Sequence, residues 1–239
     1  MLNGARALEA EPPLARRTLG ASVHGRLAEL LIAGRLAPGE RLSLRDTAAA
    51  LGVSVMPVRE AVARLVADGA LEVAPNRAVR VPLMPRGRFL ALAETRIAVE
   101  GLAAARAATA RSAAELAAIR RAEAAFRAMA GQARPDLQRA VALNRDVHFR
   151  IYEACGLAPL RDIIAGLWLK VGPVLNLDLR SDPARLRQGS ALRCHAAALA
   201  AIEAGDAAAA RAAIVADIEE AAAYIVARGG LAAEDAAPG

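Results

Sequence analysis

Gly52 to Gly69 reads GVSVMPVREAVARLVADG. Val58, Val62, Leu65 and Val66 recur at helical spacing and make one apolar stripe, with Arg59 and Glu60 standing off it. Ser54 can cap this helix, and Pro57 falls in its first turn, where no intrahelical amide partner is lost. Gly69 closes it. Just upstream, SLRDTAAAL (Ser43 to Leu51) reads as a shorter helix with Ser43 as its N-cap and Asp46 in its first turn, ended by Gly52. Before that, Thr18 to Gly34 places Val23, Leu27, Leu30 and Leu31 on one helical face, and LAPGERL turns the chain at Pro38 and Gly39. Downstream, ALEVAP and AVRVPL read as two short strands joined through Asn76 and Arg77.

Three helices followed by a hairpin, with a tight turn between the second and third helices, predict a winged helix-turn-helix over residues 18–83. In such a domain the third helix reads DNA. Its N-terminal residues approach base edges in the major groove, Arg59 contacts phosphate or a guanine edge, and Arg77 in the wing reaches the backbone or minor groove. Arg59 and Glu60 taken alone would favour a solvated helix face, as most helical charges do. The order of elements around them favours the reader, and so does charge. Residues 1–88 hold 13 Arg against 8 Asp and Glu, whereas residues 89–239 hold 18 Lys and Arg against 17 acids. A basic head on a near-neutral body suits a protein that displaces counterions from a phosphate backbone.

The 239 residues are long enough for two domains and a sizeable core. No apolar run approaches the roughly 18–20 residues of a membrane span. Residues 1–17 carry acids and prolines where a signal peptide needs an apolar run, so they are expected to form a disordered arm on a cytoplasmic protein. Cys155 and Cys194 make neither a disulfide framework nor a CxxC pair. PLMPRGRF contains a linker at 84–88. From Phe89 the chain turns Ala-, Leu- and Arg-rich, and its periodicity predicts helices near 91–109, 112–130, 136–155, 157–178, 183–204 and 206–227. The expected fold is therefore mostly α: the winged head, an all-α bundle of about six helices over 89–228, and a disordered tail at 229–239.

Bundles build ligand sites from side chains on facing helices. Asn144 and His148 are four apart on one helix face, and His195 and Asp217 lie on two later helices. Together they could offer two imidazoles and two oxygen donors. Such a set suits Zn, Ni or Mn better than a thiolate-closed structural zinc site. Each histidine alone would more often be an ordinary satisfied or exposed helical residue.

LAPGERLSLRDTAAALGVSVMPVREAVARLVADGAL resembles the DNA-binding domain of the GntR family of bacterial transcription regulators. The resemblance implies DNA-facing roles for Arg45, Ser54, Val55, Met56, Arg59, Asn76 and Arg77. Val55 and Met56 stand where the family commonly has Arg and Thr, so one guanidinium contact is absent. ETRIAVEGLAAARAA, NRDVHFRIYEACGLAPLRDIIAGLW and HAAALAAIEAGDAAAARAAIVADI resemble the FCD effector-binding domain of the FadR subfamily. Metal-binding members ligate with an Asp and three His, and those positions fall on Asn144, His148, His195 and Asp217. Both replacements retain an oxygen donor. The same resemblance places Arg96 at the pocket, facing a carboxylate effector; the other reading of Arg96 is a surface ion pair with Glu100 at i+4.

Enzymatic readings find less support. Cys194 and His195 are adjacent and project about 100° apart on a helix, so they cannot pair as nucleophile and base. No serine elbow or phosphate-cradling glycine loop is present. The strongest enzyme alternative is a metallohydrolase using His148 and His195, which leaves the DNA reader unexplained; a further alternative is a DNA-binding protein with a structural metal only. The expectation is a homodimeric, non-enzymatic repressor of a palindromic operator on double-stranded DNA, released by a small carboxylate metabolite.

Overall fold

The computed structural model describes residues 19–75, 77–181, 186, 189–229 and 231–233. Asn76, the expected arm at 1–17 and the end of the expected tail at 234–239 lie outside the described residues. Helix α1 spans Leu19–Ile32 and buries Val23, Leu27 and Leu31, the stripe expected of it, while Leu30 is half-buried. Helix α2 spans Leu44–Leu51, and the Ser43 side chain accepts from the Asp46 amide at 3.3 Å. Gly52 ends α2 at φ 66°, a left-handed conformation that glycine adopts without a Cβ penalty. Helix α3 spans Val55–Ala67 and buries Pro57, Val58, Ala61, Val62 and Leu65. Ser54 has the extended backbone of an N-cap, but its side chain makes no capping bond.

The wing has one strand more than its sequence suggests. Strands β1 (Arg41–Leu42), β2 (Glu72–Val73) and β3 (Val79–Arg80) form an antiparallel sheet in the order β1, β3, β2. Arg41 stands opposite Arg80, and Leu42 opposite Val79. The stretch read as a turn thus donates a strand too short to show alternation, extended by bonds from Gly39 N to Val81 O and from Val81 N to Glu40 O, both 2.9 Å.

Among the described residues six further helices follow: α4 (Arg86–Ala110), α5 (Ala113–Ala130), α6 (Leu137–Glu153), α7 (Ala158–Ser181), α8 (Ala191–Ala204) and α9 (Ala207–Arg228). The start of α8 expected at 183 lies outside the described residues. Pro85 is the N-cap of α4, so Arg86 to Arg88 of the expected linker form its first turn rather than a free hinge. Alanines 103, 104, 107 and 108 are buried along α4, and short side chains there let neighbouring helices approach. Gly101 faces Arg211 and Val215 of α9, where a Cβ would meet the arginine stem at 3.2 Å. Ala232 of the expected tail donates its amide to Met84 O at 3.0 Å and bridges Pro85.

The apolar core runs without a break from Val23 in the head to Ile225 in α9. Head and bundle meet where α1 ends against α7. A Cβ on Gly172 would lie 2.7 Å from Ile32 Cα, so the two backbones are in close contact. No helix among the described residues is long and apolar enough to cross a membrane.

Candidate functional site

Two surfaces carry the residues singled out by sequence. On the head, Arg45 of α2, Ser54 before α3, and Met56 and Arg59 of α3 are exposed, and Val55 is half-buried. Met56 is 62% exposed, unusual for a large apolar side chain at the start of a helix. Arg77 is exposed in the wing turn at φ 61°, the only positive φ of a non-glycine residue among those described. Among the described residues Arg45, Arg59 and Arg77 make no ion pair, whereas Arg80, beside the wing, is tied to Glu72 at 2.6 Å. The apolar stripe of α3 is anchored in the head, which leaves Ser54, Met56 and Arg59 exposed at its N-terminal end. An exposed helix N-terminus with unpaired guanidinium groups beside it presents amide and cationic donors to phosphate and base edges.

The second surface lies inside the bundle. His148 of α6, His195 of α8 and Asp217 of α9 converge, although they come from three helices. His148 Nε2 lies 3.2 Å from Asp217 Oδ2 and 3.3 Å from His195 Nε2, and the third edge of the triangle is 4.0 Å. Ligands about 2.0–2.1 Å from one zinc ion stand roughly 3.0–3.4 Å apart, so this triangle fits a divalent ion after a small inward movement of His195. Asn144 lines the same cavity one turn before His148.

Residues that were not singled out complete the set. His148 Nδ1 lies 2.9 Å from the Tyr152 hydroxyl, which donates to Glu100. The Tyr152 oxygen is therefore left to accept from Nδ1–H, an assignment made from donor and acceptor roles. His148 Nε2 then points at Asp217, where it can share a proton with the carboxylate or give its lone pair to a cation. Trp168 Nε1 also donates to Glu100, at 3.1 Å. Partners of this kind hold a ligating imidazole in one tautomer and orientation. The i+4 spacing of His148 and Tyr152 is visible in sequence, but nothing local shows that the phenol points inward to Glu100.

Arg96 donates to Glu100 through Nε at 2.6 Å and Nη2 at 3.2 Å, and lies over the Trp168 ring. The ion pair expected between these two exists, but in the interior: Arg96 is 4% exposed and Glu100 0%. Arg96 also lines the cavity, with its Nη1 edge the uncommitted one.

Burial dominates the electrostatics here. It lowers His195 to about 4, with help from neighbouring His148 and against the attraction of Asp217. His195 Nδ1 is buried without a hydrogen-bond partner. Burial raises Asp217, but the hydrogen bond with His148, both imidazoles and Arg96 outweigh it and hold the carboxyl at about 2. Burial and the charge of Glu100 push Tyr152 well up, so it keeps the proton it donates. Burial also pushes the Cys194 thiol up to about 11, which leaves it inert beside His195.

A pocket of about 590 Å³, the open solvent at its mouth included, lies against this cluster. Its polar corner is built by Arg96, Asn144, His148 and Asp217, with Trp168 beside them.

Comparisons with known proteins agree with this two-part architecture. Residues 19–81 match the model of bacterial regulatory proteins of the gntR family, and residues 91–220 match the FCD domain. The chain is 32% identical over 172 residues to the HTH-type transcriptional regulator McbR of Escherichia coli (strain K12), an alignment covering 72% of this chain and 77% of McbR. The structure of E. coli McbR/YncC superposes with a TM-score of 0.83 at 28% identity, covering 90% of this chain and all of that one. A putative GntR regulator from Rhodococcus sp. RHA1 shares the fold, with a TM-score of 0.72 at 24% identity over 88% of this chain and 99% of that one. With its helix-turn-helix and FCD halves both matched, the chain belongs to the gntR family of bacterial regulatory proteins and is a DNA-binding transcriptional regulator.

Proposed function

We propose that this regulator is a homodimeric repressor that leaves its operator when a small carboxylate binds beside a metal ion in the bundle. The carrying observation is the convergence of His148, His195 and Asp217 on the wall of the cavity. Asn144, His148, His195 and Asp217 would hold a divalent Zn, Ni or Mn ion. Bound there, the ion would act as a Lewis acid with coordination positions open to the cavity. Arg96 would add its Nη1 edge to the same carboxylate.

On the head, Arg45, Ser54, Val55, Met56 and Arg59 would face the duplex, with Asn76 and Arg77 reaching it from the wing. Two heads on a palindrome gain from effective concentration, which one small head cannot. The response follows from helix α7, which offers Trp168 to the cavity and Gly172 to the end of α1. A ligand that binds one packing of α7 better than another shifts the head with it.

The test compares the parent with His148→Ala. The parent should purify with one equivalent of divalent metal by mass spectrometry, and the variant with far less. On operator DNA selected by the protein from a random library, both should bind. Only the metal-loaded parent should be released by an organic-acid panel. Equal metal content, or equal release, would reduce these residues to ordinary bundle polar groups.

A further inference from the structure

Among its described lining residues the cavity gathers its charged groups at one corner, and this says more about its occupant than the metal cluster does. Beyond the corner, Leu175, Leu186, Ile218, Ala221 and Ile225 line it, and Ser190 is the one polar side chain among the described lining residues. Two rows run away from the corner. On α9 the row starts at Asp217 and ends at Ile225, eight residues on, about 12 Å at 1.5 Å per residue. On α7 it starts at Trp168, whose ring lies 5.2 Å from that of His148, and ends at Leu175.

Charge sets the head group. Metal ligation takes imidazoles in their neutral form, so beside an ion the corner's own charges are one cation, Arg96, and two anions, Glu100 and Asp217, one net negative charge. A divalent ion would turn this into one net positive charge. A single carboxylate then restores neutrality, whereas a second would be buried without a partner, which is costly in a low-dielectric site. Polyhydroxy acids meet a similar obstacle, since their hydroxyls would face the aliphatic side chains of Leu175, Leu186, Ile218 and Ile225.

We infer that the effector is a monocarboxylic acid with an apolar body about two helical turns long, its carboxylate at the Arg96 and Asp217 corner and its tail between α7 and α9. This rests on the metal-and-carboxylate reading above and narrows it to one ligand class.

Trp168 is the only tryptophan of the chain and lines the cavity, so its fluorescence reports occupancy directly. The full-length, zinc-loaded protein is titrated with butanoate, hexanoate and octanoate, and with citrate and gluconate. Each added methylene should tighten binding about fourfold. Citrate and gluconate should bind at least about a hundredfold more weakly than octanoate, the combined loss of the buried tail and of unpaired polar groups. Ala221→Phe, which fills the middle of the α9 row one turn beyond Asp217, should abolish this dependence on chain length; its circular dichroism and zinc content establish that it is folded. A flat series in the parent, or tighter binding of citrate or gluconate accompanied by operator release, overturns the inferred class and leaves the metal-and-carboxylate reading standing. If no acid perturbs Trp168 in the zinc-loaded protein, that reading fails and the inference fails with it.

Discussion

Arg77 holds a conformation that its side chain does not favour. At φ 61° it closes the turn in which its amide bonds Ala74 O and Ala74 N bonds Ala78 O, both at 2.8 Å. Glycine would sit there at lower cost, and backbone strain of this sort concentrates where a side chain is needed. Arg77→Gly should therefore raise stability by up to about 1 kcal/mol in urea unfolding, as left-handed strain is relieved and glycine's unfolded freedom offsets part of the gain. Operator affinity should fall, with the salt slope shallower by about one if Arg77 meets a phosphate. Unchanged affinity at every salt concentration would remove Arg77 from the interface. His195 gives a pH dependence of definite sign. Burial lowers it from 6.5 to about 4, so between those values the unfolded chain takes up a proton that the folded chain refuses. Stability of the metal-free protein should fall with pH across that window, by about 1.4 kcal/mol per unit and about 3 kcal/mol in all. Asp217 adds a loss of the same sign only below 3.8, so measurements above pH 4.5 isolate the imidazole. Urea unfolding in chelator at pH 7.5, 6 and 5 should show the parent losing stability faster than His195→Gln. Parallel curves would contradict the burial argument.

Helix ends were readable because they depend on neighbours in sequence. Gly131, Gly156 and Gly205 mark the breaks of the bundle, and Gly156 and Gly205 adopt the left-handed conformation that ends a helix. Ser112 and Glu115 close a capping box on α5, and Asp206 caps α9. The misreadings share one cause. Strand β1 and the early start of α4 depend on partners far along the chain, β3 for the one and the packed core for the other. Helix α7 shows how far such long-range demands go. Its Pro173 lies inside the helix, and the preceding Gly172 lets the α1 backbone approach. A Cβ there would also sit 2.9 Å from Ile32 O and 3.0 Å from Leu31 O. Gly172→Ala should cost about 1–3 kcal/mol through overpacking, more than the roughly 1 kcal/mol by which alanine exceeds glycine in a helix. The disfavour for helical backbone before proline adds to the loss. A denaturation midpoint equal to or above the parent's would mean that α1 and α7 separate freely.

At the scale of the molecule, the continuous core joins a DNA-reading head to a bundle that encloses a cavity, and α7 belongs to both contacts. The chain by itself determined the winged head, the all-α bundle and the i+4 pairs Asn144 with His148 and Arg96 with Glu100. Apolar periodicity, caps and breakers act within a few residues, so they are written in consecutive letters. Only the tertiary structure decided that His148 meets His195 across 47 residues and that Tyr152 reaches Glu100 across 52. It also decided that the Arg96–Glu100 pair is interior rather than superficial, and that the cavity sets a charged corner beside the aliphatic side chains of Leu175, Ile218 and Ile225. The physical reason is that a helix's sequence specifies which residues share a face. Which neighbour that face meets, and at what height along the axis, follows from packing six alanine-rich helices together, a sum of small contacts over the whole bundle.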